Sequence, residues 1–504
     1  MNKKLLKRLT KQHTVLGTVS SCFLILVFVC GSLLFFRGQL LNWQFAWQQP
    51  NVSERVTSWQ SAISAIDTLK PEWLNQRLTV TSDWHTQRVL QFYVGHDLYL
   101  FDNQTQQIFG EITEEGAISD YLYFLHIDLT AGFVGRNILL IACWLLIMVC
   151  ISGVYIRWRD LVTKFYQYRI DGKARDVFKD IHVLLGLGGL IFCLIYGVTS
   201  AYFNGSYYTN SPIYQKFAEK SDNDYWLEAG FIDLERIEKS NKQLNEKTVN
   251  NAISHFTNLY PEHRISRFDI YTKPVTRMRI KGESDNAFNF ITAFYNVHGQ
   301  LIDYSKDSAA VDAYTLMVQL HDGHILGKSS HLIYFILTLM AIASMYLGNI
   351  YWVVMRAIKQ KDRLLFRVQC AVLEACGSGA LVTIAVLLFA TKVLDGTTPF
   401  SKWDYQLITI FGLLFSGLIT FFYKDIKVTN KWLLYTAGGM FLSLPVFDLI
   451  KLMLGDKLYS TVVYDLLSIH FAFTILGFFC ISLAKLMTKI EHKVARRSAQ
   501  SEVY

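Results

Sequence analysis

The sequence predicts a polytopic α-helical membrane protein of about eight transmembrane helices, with two α+β modules inserted between helices 1 and 2 and between helices 3 and 4. Three observations predict it: a charge-poor composition, apolar blocks long enough to span a bilayer, and an internal repeat. Of 504 residues, 52% are hydrophobic and 18% charged, where a soluble protein carries about a quarter charged residues. Eight blocks reach the length needed to cross a hydrocarbon core of ~30 Å. They fall at 14–36, 137–156, 183–203, 332–355, 369–391, 405–423, 432–452 and 462–486.

Orientation follows from the basic residues, which concentrate on the cytoplasmic side of membrane proteins. The segments "MNKKLLKRLTK", "RWRDLVTKFYQYRIDGKARDVFKD", "RAIKQKDRLLFR", "KDIKVTNK" and "KLMTKIEHKVARR" share one side if the spans alternate. Both termini are then cytoplasmic and the two large loops face outward. The net charge of +8 is an insertion signal, and no nucleic acid partner is implied. The first block is expected to be a retained helix, because "FFRGQLLNWQF" offers no small-residue cleavage site. All eight cysteines lie in or at the ends of apolar blocks, so no disulfide framework is expected.

The organisation is helix 1 (1–36), a first module (37–130), helices 2 and 3 (131–203), a second module (204–330), helix 4 (331–356), a C-terminal four-helix region (369–486) and a cytoplasmic tail (487–504). Each module joins a helical stretch to strand-like alternation. "TSWQSAISAIDTLKPEW" precedes "RVLQFYVGHDLYLFDNQTQQIFGEI", and "KTVNNAISHFTNLYPEH" precedes "RMRIKGE" and "FNFITAFYNVHGQLIDYS".

The unit of span, module and span occurs twice. "HTVLG" (from His13) and "HVLLG" (from His182) open spans one and three. "LHIDLTAG" (His126) and "LHDGHILG" (His321) lead into spans two and four. Each module histidine is followed by a glycine 27 residues on, Gly153 or Gly348. The repeat therefore pairs His13 with His182 at the cytoplasmic face and His126 with His321 at the outer face. If helix 2 extends back to His126, 11 residues before Asn137, that histidine projects beyond the hydrocarbon core.

Two imidazoles on facing helices can ligate one metal centre. No Cys, Asp or Glu recurs beside them, so a zinc cage is poorly supported. Axial ligation of haem iron needs only a histidine above and below the ring, and without Cys-x-x-Cys-His the haem would be non-covalent, of b type. Leu16, Val183, Tyr123 and Phe124 would face the macrocycle, and Gly17, Gly186, Gly188 and Gly189 would permit close approach.

The stretches "KQHTVLGTVSSCFLILVFVCGSLLFFRGQL", "FLHIDLTAGFVGRNILLIACWLLIMVCISGVYIRW", "DIHVLLGLGGLIFCLIYGVTSAYF" and "VQLHDGHILGKSSHLIYFILTLMAIASMYLGNIYWVVMR" resemble the PepSY-associated transmembrane family, which includes integral membrane siderophore-iron reductases. The resemblance covers about residues 1–356, with the outer loops similar to PepSY domains. It implies a bacterial cytoplasmic (inner) membrane protein with periplasmic PepSY-like modules and two haem b groups per chain. His13 and His182 would hold one haem, and His126 and His321 the other. The implied activity is outward electron transfer to a ferric siderophore or other Fe(III)-chelate, for iron acquisition.

The family commonly has an arginine at His324, which here is either an alternative ligand or an exposed cation. His331 is either a propionate partner or an interfacial residue. Arg37, Arg136, Arg277, Arg279 and Tyr271 are candidates to attract an anionic chelate. No protein side chain is expected to act as a catalytic group, and no Gly-rich phosphate fingerprint is present. The cytoplasmic electron donor is then a flavin, another reductase or a quinol. Membrane lipids are the other partner.

In the C-terminal spans, His470 and Asp448 are the ionisable residues of note: His470 as a cofactor or proton-relay residue, Asp448 reaching the interface near a helix end. Two rival classes stand beside the reductase. One is a non-enzymatic peptide- or peptidase-binding membrane protein. The other is an iron-chelate transporter, which requires paired charges inside the C-terminal spans.

Overall fold

The chain enters as one long apolar helix, α1 (Lys3–Leu34). It breaks at Phe35 and Phe36 and continues as the short α2 (Arg37–Gln44). The computed structural model describes residues 3–44, 59–69, 73, 78–82, 89–94, 97–102, 107–112, 116–159, 174–217, 244–272, 276–283, 290–304, 309–323, 329–360, 363–394, 400–423, 426–455 and 463–501.

The first inserted segment contributes α3 (Trp59–Leu69) and strands β1 (Leu78–Ser82), β2 (Val89–Val94), β3 (Asp97–Asp102) and β4 (Gln107–Ile112). Then come α4 (Ile118–Asp128) and the apolar α5 (Gly132–Arg157). The second half repeats the order. It has α6 (Ala174–Gly188), α7 (Leu190–Phe217), α8 (Glu246–Leu259) and strands β5 (Arg264–Tyr271), β6 (Arg277–Glu283), β7 (Phe290–Tyr295) and β8 (Leu301–Tyr304). After them come α9 (Ala309–Asp322) and α10 (Ser329–Gln360). The C-terminal region is α11 (Leu364–Cys376), α12 (Ser378–Leu394), α13 (Lys402–Tyr423), α14 (Ile426–Met453) and α15 (Val463–Ser501).

Among the described residues, seven helices are long and apolar enough to cross a membrane, or eight if one bent pair counts as a span. The bent pair is α6 with α7, kinked by 63° at the Gly188–Gly189 break, where sharp helix kinks characteristically fall. Each predicted block falls largely on one of these spans, with 369–391 running across α11 and α12, which count together as one. Their outward faces carry large apolar side chains, such as Ile141 (61% exposed) on α5 and Phe415 (64% exposed) on α13. Such a surface needs lipid around it. The chain is a multi-pass membrane protein.

The two predicted modules are joined. Their strands form one antiparallel sheet of order β4-β3-β2-β1-β5-β6-β7-β8. The seam is β1 against β5, with Leu78 opposite Ile270 and Thr79 opposite Asp269. One face carries α3 and α8 over a single core that includes Ile63 and Ile66 from the first half and Val249, Ile253 and Phe256 from the second. Local chemistry sets the ends. Asn245 caps α8 by accepting from Thr248 N at 2.9 Å. The β7–β8 turn uses Asn296 Oδ1 as acceptor for His298 N and Gln300 N, with Gly299 at φ 75°.

Helix 2 does not extend back to His126. Leu129 (φ 54°) and Thr130 (φ 56°) adopt left-handed backbone and separate α4 from α5. Non-glycine residues pay for that conformation, so the turn is held by its surroundings. Ala117 offers α4 no side-chain cap, and Gln44 of α2 supplies one, its Oε1 accepting from Ile118 N at 2.9 Å. Arg37 at the other end of α2 pairs with Asp120 at 2.8 Å. α4 is thereby clamped against the α1–α2 joint.

Candidate functional site

Helix packing brings the four repeated histidines together in two pairs. His13 (α1) and His182 (α6) have ring centroids 6.2 Å apart with planes at 70°. His126 (α4) and His321 (α9) are 6.1 Å apart with planes at 51°. The second pair sits at the sheet end of the bundle. His126 reaches α1 at Val27, two-thirds of the way along the apolar block, so its ring is level with the span and not beyond it.

All four rings are held by Nδ1. His126 donates to Val27 O at 2.8 Å and His182 to Ser344 O at 2.8 Å. His13 donates to Val149 O at 3.1 Å, with Ser152 Oγ at 3.0 Å. For His321 the partner is Thr199 Oγ1 at 2.9 Å. That hydroxyl already donates to Ile195 O at 2.8 Å, so it accepts from the ring. A carbonyl, or a hydroxyl whose proton is spent, can only accept. Nδ1 therefore carries the proton in each ring, and Nε2 keeps its lone pair. Holding one ring nitrogen through a backbone carbonyl is how proteins orient a metal-ligating histidine.

Room for the rings comes from glycine. A Cβ on Gly31 would lie 2.8 Å from His126 Cε1. On Gly153 it would lie 3.2 Å from His13 Cε1, and on Gly348 3.1 Å from His182 Cε1. The two glycines that end the repeat thus seat the first pair. Gly17 is different: a Cβ there would meet Val149 at an ordinary 3.8 Å.

The residues fit the expected cofactor. Among the described residues no group of three or more His, Cys, Asp or Glu is placed to hold a metal ion. Each pair can therefore offer two nitrogens, which is the demand of an iron whose other four ligands come from a macrocycle. The two pairs have nearly the same separation, 6.2 and 6.1 Å between ring centroids, so they would hold alike groups.

Aromatic side chains surround the second pair. Tyr196 lies 4.9 Å from the His321 ring and donates to the His321 carbonyl at 2.7 Å. Phe203 meets the same ring edge-on at 5.3 Å. His331 is buried and stacked on Phe35 at 6.0 Å. His324 lies outside the described residues.

Two of the expected chelate-attracting cations are committed elsewhere. Arg37 is bound to Asp120 and lies over Tyr123 at 4.5 Å, and Arg279 is bound to Asp269 at 2.6 Å. Arg277 is buried under Tyr271 at 4.5 Å. Arg136 stays exposed. Asp448 is not interfacial: it is buried and bonded to His470 at 2.8 Å. Sequence reasoning missed the acceptors Val149, Ser344 and Thr199. A signal for two of them exists, since Val149 and Ser344 each stand 23 residues after a module histidine.

The fold and site define a multi-pass helical membrane protein with two half-buried histidine pairs, each offering two Nε2 lone pairs. The chain belongs to the family of the PepSY-associated TM region, whose profile matches residues 10–354 and so contains both pairs. An 85-residue stretch is 36% identical to the uncharacterized protein PA4219 of Pseudomonas aeruginosa, covering 16% of this chain and 21% of that protein. The chain thus aligns with about a fifth of that relative's length.

Proposed function

We propose that the protein is a di-haem b ferric-chelate reductase of a bacterial cytoplasmic membrane, passing electrons outward to Fe(III)-chelates such as ferric siderophores. The observation that carries this reading is the set of four Nε2 lone pairs, presented in two pairs at opposite ends of the spans. Haem iron, when bound, supplies one-electron transfer at a potential set by its ligands, hydrogen bonds and burial.

The chain's own residues do the rest. His13 and His182 would hold one group and His126 and His321 the other, each ring locked by its Nδ1–H bond. Gly31, Gly153 and Gly348 keep the rings from being displaced by a side chain. Tyr196 and Phe203 keep water from His321. His13 and the His126 acceptor Val27 are 14 residues apart on α1, about 20 Å along a helix axis. That distance covers most of a hydrocarbon core of ~30 Å. The sheet stands over the second pair and would receive the chelate, and the donor would be a cytoplasmic flavin, reductase or quinol.

The test is a reduced-minus-oxidised absorption spectrum of the purified protein with haem-to-chain stoichiometry, beside His126→Ala and His182→Ala. Two b haems per chain, with one lost in each variant, is the expected result. A colourless protein that inserts normally would overturn the reading. A second reading, chelate or ion transport through the C-terminal helices, draws on the buried Lys392–Asp448 pair at 3.3 Å. Chelate uptake into vesicles that is unchanged by loss of both histidine pairs would favour it.

A further inference from the structure

The C-terminal helices α11–α15 lie beyond the matched region, yet they bury a cluster of ionisable side chains. Lys392 of α12, Asp448 of α14 and His470 of α15 meet at the sheet end. Lys392 Nζ is 3.3 Å from Asp448 Oδ1, and His470 Nε2 is 2.8 Å from Asp448 Oδ2. Their side chains are 2%, 3% and 19% exposed. Trp43 of α2 closes the cluster, donating from Nε1 to Asp448 Oδ2 at 2.7 Å. Lys392 in turn donates to the Trp43 carbonyl at 2.7 Å and lies over its ring at 4.7 Å. The next cation along α14, Lys451, is turned onto Phe447.

Buried in membrane helices near their ends, ionisable side chains still cost free energy, so such groups are rarely kept for packing alone. Lys392 and Asp448 cancel one another, and the carboxylate is already filled with donors. His470 is the member with capacity to spare. Asp448 takes its Nε2–H, which leaves Nδ1 as the bare nitrogen of a neutral ring. No described residue hydrogen-bonds that nitrogen. A proton can add at Nδ1 with every described bond kept. A proton on Asp448 would instead remove an acceptor used by three donors.

We infer that Lys392, Asp448 and His470 form a proton-binding site in the C-terminal helices, with Nδ1 of His470 as the atom that takes the proton. Binding changes the cluster from neutral to a single positive charge. The charge is felt by α2, because Trp43 shares the acceptor oxygen with His470. Through Arg37–Asp120 and Gln44–Ile118, α2 is bound to the helix that carries His126. The site thus links the C-terminal region to the second histidine pair, and it needs no cofactor to exist.

The experiment is tryptophan emission of the full-length protein in nanodiscs as a function of pH, for the wild type, Trp43→Phe, His470→Gln and His470→Lys. The wild-type minus Trp43→Phe difference isolates Trp43 and should show one single-proton transition. That transition should be lost in His470→Gln and held at its acid-end value at every pH in His470→Lys. A difference that is flat across pH overturns the site, whether or not the His470 variants insert. A transition that survives in His470→Gln overturns it as well.

Discussion

At the residue scale, the two pairs depend on small groups around the imidazoles more than on the imidazoles' own neighbours in sequence. Gly31→Ala would drive a methyl to 2.8 Å from His126 Cε1, so the ring must move. We expect that variant to lose the haem of the second pair and keep the first, while Gly17→Ala, with its nearest atom 3.8 Å away, leaves both. Haem stoichiometry checks this, and equal spectra for the two variants would count against the seating role. Thr199→Val removes the only acceptor for His321 Nδ1 among the described residues. Its affinity for haem at the second pair should fall about 10–100-fold, the usual cost of losing a partner that orients a ligating histidine. Titration of apoprotein with haem measures it. The pairing itself was legible because the sequence repeats His-x-x-Leu-Gly and Leu-His at matched spacing. Thr199 was not legible. The repeat-related acceptor would be the carbonyl at Tyr196, the counterpart of Val27, and the 63° bend in the third span presents a hydroxyl instead.

At the scale of elements, strand alternation revealed both modules and gave no hint that they share one sheet. Pairing β1 with β5 is a choice between edges nearly two hundred residues apart, and no local pattern encodes it. Its physical marker is Asp269. This buried carboxylate accepts from Thr79 across the seam at 2.7 Å and from Arg267 and Arg279. Burial alone would raise its pKa, but Arg279 and Arg267 hold it below the usual carboxylate range. Breaking a fully buried pair costs about 3–5 kcal/mol. Here the arginine side chains are 22% and 38% exposed, so Asp269→Asn should cost about 2 kcal/mol. The sign with pH is fixed by the depressed value. The wild-type advantage over Asp269→Asn is full above the unfolded pKa of about 3.9 and disappears as pH falls through the lower folded value. Thermal unfolding of both proteins across acid pH checks it. An advantage that grows on acidification would contradict the ion-pair account.

For the whole molecule, the distance along α1 separates the two pairs, which on the proposed reductase reading makes them successive stations. His182→Ala should leave the second pair's haem in place but cut its reduction by a donor on the cytoplasmic side to background. Dithionite should still reduce it. Stopped-flow spectra of inverted vesicles decide the matter, and unchanged reduction through the natural donor would mean that electrons bypass the first pair. The placement of spans was readable from apolar block length, because lipid imposes that length on any helix that crosses it, while the count among the described residues is seven, or eight with the bent pair. The break between α4 and α5 was not, since Leu129 and Thr130 are residues that rarely take left-handed backbone.

The seam between β1 and β5 also dictates an order of assembly. While the chain is being made, β1 exists long before β5 emerges, and its N–H and C=O groups opposite residues 267–270 have no strand to bind. Open edges of this kind recruit other chains. Long-range strand pairing is slow, because the loop between the strands must close first. Here the closing loop includes α5, α6 and α7, so the spans must be inserted before the sheet can be completed. Translation that stops between Glu246 and Arg264 would leave a half-sheet whose β1 edge has no strand to pair with.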